Sequence, residues 1–132
     1  MSLANDLKKI VARRKEDLDE IAQAVTIRVG NQIVLQSPVK DGFFKNNWNS
    51  AIGDISYKID APENSTGAKS LNGIAETFSV FGTGNVGYFT NSMPYAMRLE
   101  YDGWSQQAPN GVVRVNVRKA PRYLREEVNL RK

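Results

Sequence analysis

The chain has 132 residues, with 18 Lys and Arg against 14 Asp and Glu and neither cysteine nor histidine. That length fits one domain with one real core; the missing residue types exclude disulfides, thiolate nucleophiles and Cys- or His-based zinc sites, and remove the side chain best placed for proton transfer near pH 7. No stretch approaches the roughly 20 apolar residues that cross a bilayer, and the first 20 residues set charges inside their apolar pattern, unlike a secretory signal, so we expect a protein made and kept in a cytosol, with no membrane contact.

Residues 3 to about 35 read as one long amphipathic helix. Leu3, Leu7, Ile10, Val11, Leu18, Ile21, Val25, Val29 and Ile33 fall mostly at three- and four-residue steps and form one apolar stripe. Ser2 or Asn5 can cap its start, and Gly30 marks a weak point where a bend or break is expected. At 1.5 Å per residue such a helix is roughly 45–50 Å long. That exceeds the width of a small domain, so part of it projects or packs on a neighbouring chain. Its charges are segregated, with Lys8, Lys9, Arg13, Arg14 and Lys15 followed by Glu16, Asp17, Asp19 and Glu20. Pairs such as Arg13–Asp17 and Lys15–Asp19, at i,i+4, favour a self-paired solvated face over a nucleic-acid contact.

The helix ends at Ser37-Pro38, because proline moves the residue before it out of the α region, and Asp41-Gly42 supplies a turn. Phe43, Phe44 and Trp48 read as core. Residues 48–58 alternate loosely as a first strand, and 59–73 form a polar surface loop with a helical turn near 68–71. The pattern of 74–81 fits a short helix or a strand equally. Residues 88–117 read as strand–corner–strand: a β-prone run, a break at Pro94, a turn at Asp102-Gly103, and a closing strand in 111–117, where Val113, Val115 and Val117 alternate with Arg114 and Asn116. From Pro121 the spacing of Tyr123, Leu124, Val128 and Leu130 predicts a short helix. The expected class is α+β, a long N-terminal helix (1–36) on a small, mainly antiparallel sheet (37–117), with a basic C-terminal segment (118–132) that includes the short helix.

Several motifs look chemical. Gly82-Thr83-Gly84-Asn85-Val86-Gly87 spells G-x-G-x-x-G, but it runs into Tyr88-Phe89-Thr90, a strand signal, whereas dinucleotide binding needs a helix N-terminus there. Ser37-x-x-Lys40 spells the serine acyl-enzyme motif, but Pro38 and Gly42 place it in a loop rather than in a helical first turn. Asn64-Ser65-Thr66 is a formal glycosylation sequon, relevant only on secretion. Glu100 and Asp102 share a side if 98–102 is extended and would then meet a cation; a solvated or salt-bridged face is the plainer reading. We expect no catalytic residue, cofactor or metal.

Two separated stretches carry a family resemblance. Ser37-Pro38-Val39-Lys40-Asp41-Gly42, followed by Phe44, Asn47 and Trp48, resembles an S-P-V-D-T-G-x-x-R-x-x-W segment. Asn91-Ser92-Met93-Pro94-Tyr95-Ala96, with Arg98-Leu99-Glu100-Tyr101 and Trp104-Ser105-x-Gln107-Ala108-Pro109-x-Gly111, resembles an N-x-x-P-Y-A-x-x-L-E-Y-G-x-S-x-Q-A-P-x-G core. Both are similar to segments of the neck, or tail-completion, proteins of long-tailed bacteriophages. The chain departs from that pattern at Lys40-Asp41, where Asp-Thr is usual, and at Asp102, which is inserted before Gly103.

The resemblance implies a small α+β virion protein without catalytic residues. It would form a homo-oligomeric ring, expected to be hexameric, between the tail tube or tail terminator and the head-closure or portal-side proteins. Large aromatics and arginine dominate such contacts, so Tyr95, Arg98, Tyr101 and Trp104 are the candidate interface residues; the N-S-M-P-Y context of Tyr95 favours a packed corner over an interface role. A second reading starts from charge. Residues 112–132 hold Arg114, Arg118, Lys119, Arg122, Arg125, Arg131 and Lys132 against Glu126 and Glu127 only. Arg118, Lys119, Arg122 and Arg125 are the candidate basic contacts, to nucleic acid as an independent module, to DNA in the ring lumen, or to an acidic neighbour.

Overall fold

A computed structural model describes residues 2–131 of the chain. The elements run α1 (Leu3–Leu35), β1 (Trp48–Ile52), α2 (Ala68–Phe78), β2 (Gly87–Asn91), α3 (Ala96–Tyr101), α4 (Val113–Val117) and α5 (Ala120–Leu130). The expected α+β class holds, with a long N-terminal helix, a small antiparallel sheet and a short C-terminal helix.

α1 is unbroken over 33 residues, about 50 Å. Ser2 caps it, its hydroxyl accepting the Asn5 N–H at 3.2 Å. Gly30 does not break it. A side chain there would begin 3.1 Å from Ile74 Cδ1, so the glycine makes room for α2 to cross α1 closely. At the C-terminal end the Ser37 hydroxyl donates to the Ile33 carbonyl at 2.7 Å and accepts the Trp48 indole N–H at 2.9 Å. This one hydroxyl satisfies a buried carbonyl and a buried indole where the chain leaves the helix.

The core forms around that point from Ile33, Val34, Phe44, Trp48, Ile74 and Phe78, with Leu99, Ala108 and Val112 closing one side. Trp48 stacks on Phe89 with ring centres 4.9 Å apart, and Phe44 meets it edge-on at 5.4 Å. β1 and β2 pair antiparallel, Trp48 opposite Asn91 and Ile52 opposite Gly87. Phe43, expected in the core, is half-buried.

The sheet is smaller than the sequence suggests. β1 stops at Ile52, where Gly53 takes φ +91°. The helical turn expected near 68–71 and the first part of the ambiguous 74–81 are one helix, α2, which ends at Phe78, so the surface loop is 59–67. The closing strand expected over 111–117 is absent: Val113–Val117 is a helix, and α3 precedes it where an extended 98–102 was one reading. The stretch 88–117 is therefore strand, corner, helix, loop, helix.

α5 begins with Pro121 in its first turn, where the missing N–H costs nothing. It is latched to α1 by Arg28, which lies 4.0 Å above the buried Tyr123 ring and contacts Glu126 at 2.7 Å and Glu127 at 3.4 Å. Arg131 adds contacts to Glu127 at 2.9 Å and to Glu20 at 3.4 Å. The expected Arg13–Asp17 and Lys15–Asp19 ion pairs are not formed among the described residues. Asp19 instead accepts the Thr83 N–H at 2.7 Å, a bond that holds its carboxyl below the usual range.

Candidate interaction surface

The two stretches that carry the family resemblance lie side by side. The Gln107 side-chain amide accepts the Val39 N–H at 3.0 Å and donates to the Val39 carbonyl at 3.0 Å. That two-point contact is a β-ladder pairing made by one side chain, and it joins segments 68 residues apart. Asn47 makes the same contact with Asp60, at 2.8 and 2.9 Å, and so moors the surface loop.

Between the joined segments runs a groove of about 600 Å³, walled by Pro38, Val39, Phe44, Tyr95, Leu99 and Trp104. Tyr95 is half-buried, its ring 6.2 Å from Phe44 and 6.0 Å from Trp104. Burial, with the Asp41 carboxylate adding to it, raises its hydroxyl pKa. Tyr95 packs in a corner and also lines the groove. Its corner is set by Asn91, which accepts the Met93 N–H at 3.1 Å and donates to the Phe44 carbonyl at 2.8 Å.

The other three candidates face solvent. Trp104 and Tyr101 are each 57% exposed, and Arg98 is exposed on α3, one turn from Tyr101. Each aromatic carries a cation: Arg98 lies 5.6 Å from the Trp104 ring centre and Arg114 lies 4.6 Å from that of Tyr101.

Glu100 is the residue whose role the sequence did not reveal. Its carboxylate accepts the N–H groups of Val112 and Val113 at 2.8 Å each, and the Arg114 N–H and Nε at 3.1 and 2.9 Å. Burial raises its pKa, but the Val113 and Arg114 donors outweigh that, so the carboxyl titrates below its ordinary range. Gly111 makes the approach possible: it takes φ +82°, and a methyl group there would lie 2.6 Å from the Glu100 carbonyl oxygen. Glu100 is thus a helix cap for α4, engaged by amides, and does not share a cation with Asp102.

The other chemical-looking motifs resolve similarly. The 82–87 loop leads into β2, and its Thr83 amide already serves the Asp19 carboxylate. Ser37 Oγ is buried between Trp48 and Ile33. The Asn64 side chain accepts from the backbone N–H and the hydroxyl of Thr66.

The basic segment divides. Arg122 contacts Glu126 at 3.7 Å and lies 5.2 Å above Tyr123, and Lys119 donates to Asn116 at 3.2 Å. Arg114 and Arg131 are paired with Glu100 and Glu127. Arg118 and Arg125 are exposed, with no carboxylate in ion-pair range among the described residues. Lys132 lies outside the described residues.

Among the described residues no cluster of three or more acids could hold a metal, and no helix is long and apolar enough to cross a membrane. Comparison of the chain with family models, with curated proteins and with solved structures gives no match.

Proposed function

We propose that the chain is a structural subunit of the neck of a long-tailed bacteriophage. In this reading it forms a homo-oligomeric ring, six-membered, in the virion between the tail tube or tail terminator and the head-closure or portal-side proteins. The ring completes the tail and joins it to the head, and it catalyses nothing. The observation that carries the reading is the Gln107–Val39 contact, because it builds the two resembling segments into one surface.

The division of labour within those segments supports it. The side chains of Ser37, Asn47, Glu100 and Gln107 are occupied with holding backbone, and Gly111 leaves the room that Glu100 needs. What remains outward is Trp104, Tyr101 and Arg98, side chains of the type that dominates protein interfaces. A ring requires that this patch meet a different patch on the next copy.

Native mass spectrometry with negative-stain imaging, on the protein alone and with tails, tests the proposal. The expected result is one ring-sized species with a fixed subunit count. A strict monomer in both conditions that also fails to restore head–tail joining in a complementation assay overturns it.

Contact with nucleic acid, in the lumen or as an independent binding activity, is a second reading, favoured by Arg118 and Arg125, which are exposed and have no ion-pair partner among the described residues. It predicts DNA binding that weakens steeply with salt and is lost in Arg118→Glu/Arg125→Glu. Binding unchanged by that double substitution rejects it.

A further inference from the structure

The two strands leave two outer edges, and the chain treats them differently. The Gly53 N–H donates to the Val86 carbonyl at 2.9 Å. In the register that sets Trp48 opposite Asn91, this bond fixes the phase of the ladder. Asn49 and Ala51 bond to Thr90 and Tyr88, while Trp48, Ser50 and Ile52, and opposite them Asn91, Phe89 and Gly87, turn their backbone groups outward. On β1 the outward groups meet α2: the Ser70 hydroxyl accepts the Trp48 N–H at 3.1 Å, and the Thr77 hydroxyl donates to the Ser50 carbonyl at 3.4 Å. On β2 the backbone groups of Gly87, Phe89 and Asn91 have no partner among the described residues. β2 reads Gly-Tyr-Phe-Thr-Asn, without the charge or proline that blunts an edge strand. Beside Phe89 opens an apolar groove of about 330 Å³, walled also by Val29, Phe78, Val113 and Val117.

The same chain holds a strand-like segment without a ladder. After β1 ends, the Ser56 carbonyl accepts the Thr90 hydroxyl at 2.6 Å and the Lys58 carbonyl accepts the Asn49 amide at 2.8 Å. Alternate residues of an extended chain turn opposite ways. The backbone groups of Ile55, Tyr57 and Ile59 accordingly have no partner among the described residues, and their side chains are 41%, 71% and 44% exposed.

We propose that residues 55–59 of one copy add to the free edge of β2 of a second copy as a third, antiparallel strand, with Ile55 opposite Asn91, Tyr57 opposite Phe89 and Ile59 opposite Gly87. The groove decides the direction. In an antiparallel ladder the residues that bond stand directly opposite each other and share a side of the sheet, so the three apolar side chains fall on the Phe89 side, at the groove, and Ser56 and Lys58 lie beside Thr90 and Tyr88. A parallel ladder would set the three apolar side chains on the Tyr88 side, where the acceptor's own Ser56 and Lys58 are already moored to Thr90 and Asn49. That mooring also keeps a chain's own segment from its own edge. Main-chain bonds give such strand addition its affinity and the alternate side chains its specificity. Donor and acceptor differ, so the contact is heterologous and passes from copy to copy. It does not rest on the neck reading: pairing without head–tail joining leaves it standing and counts against that reading alone.

The chain has no cysteine, so introduced thiols report the register without background. Lys58 and Tyr88 form a non-bonded pair in this register, with Cα atoms roughly 4.5 Å apart, within disulfide reach. Mixing Lys58→Cys protein with Tyr88→Cys protein under mild oxidation is expected to give a covalent pair of twice the 14.7-kDa chain mass, and to do so equally in a Trp104→Ala background. Tyr88→Cys linking only to itself indicates β2 against β2 and overturns the proposal, as does no linkage at all. In the unsubstituted protein, amide exchange at Tyr57, Gly87 and Phe89 is expected to slow roughly tenfold or more between dilute and concentrated samples, while Thr90, already paired to β1, changes little. Equal exchange at those three amides in both samples overturns the proposal. Tyr57→Pro removes the central N–H of the donor segment and is expected to weaken association roughly tenfold or more, whereas Tyr57→Val, which keeps it, costs less. Equal losses from the two would show that the backbone does not make the contact.

Discussion

Gln107 holds Val39 by both of its backbone groups, accepting from the N–H and donating to the carbonyl at 3.0 Å each. Gln107→Ala removes both bonds at an exposed site. The expected loss is about 1–2 kcal/mol, since a typical net hydrogen bond contributes about 1 kcal/mol. Urea unfolding measures it, and amide exchange at Val39 is expected to quicken by more than the global change explains. Equal protection in variant and parent would show that the clamp does not hold the loop.

Gly111 and Gly53 both have positive φ, +82° and +91°, but only Gly111 is crowded. Gly53→Ala is expected to cost about 1 kcal/mol, the conformational penalty alone. Gly111→Ala adds displacement of Glu100 from the α4 amides, and about 3 kcal/mol is expected. Paired thermal melts test the contrast. Similar costs would mean that the carboxylate cap contributes little.

Glu100 gives a pH signature. Its folded pKa lies below the ordinary 4.5, so the ionised group adds stability that is complete above that value and is lost as pH falls through the folded pKa. Glu100→Gln is expected to cost about 2 kcal/mol at pH 7, with the gap between parent and variant narrowing below about pH 4. Asp19 and Asp60, whose carboxyls are lowered by Thr83 and Lys69 respectively, act with the same sign in both proteins and cancel in the difference. A gap that widens with acid would contradict the cap.

Trp104→Ala separates fold from assembly. The ring is 57% exposed and contacts Tyr95 and Arg98, so the single chain is expected to lose less than about 1 kcal/mol. If this surface is central to a subunit contact, assembly is expected to weaken by roughly 30-fold or more, read by native mass spectrometry. Unimpaired assembly would move the contact elsewhere.

How much of this was legible follows from where the information lies. α1 was readable because its stripe is local and periodic, and its uninterrupted passage through Gly30 was not, because the reason is Ile74 on another helix. Residues 113–117 look like a strand because three valines alternate with polar residues. They form a helix because a carboxylate 12–14 residues upstream caps the Val112, Val113 and Arg114 amides, and tertiary context of that kind overrides propensity. Asn116, assigned by alternation to the polar face, is fully buried and bonds Gln36 and the Val112 carbonyl. Of the candidate surface, Trp104 and its Gly103 setting could be read from sequence, whereas the Gln107–Val39 contact could not, since neither partner advertises the other.

The Ser37 hydroxyl has a mechanical consequence. It ties the last turn of α1 to the Trp48 indole, so a 50 Å rod ends in the aromatic centre of the core rather than in a slack loop. A rod anchored in this way is a lever. Force applied at its far tip meets the Asp19–Thr83, Glu20–Arg131 and Arg28–Glu126 contacts first, which act as the fulcrum, and the Ser37–Trp48 tie holds the other end of the lever.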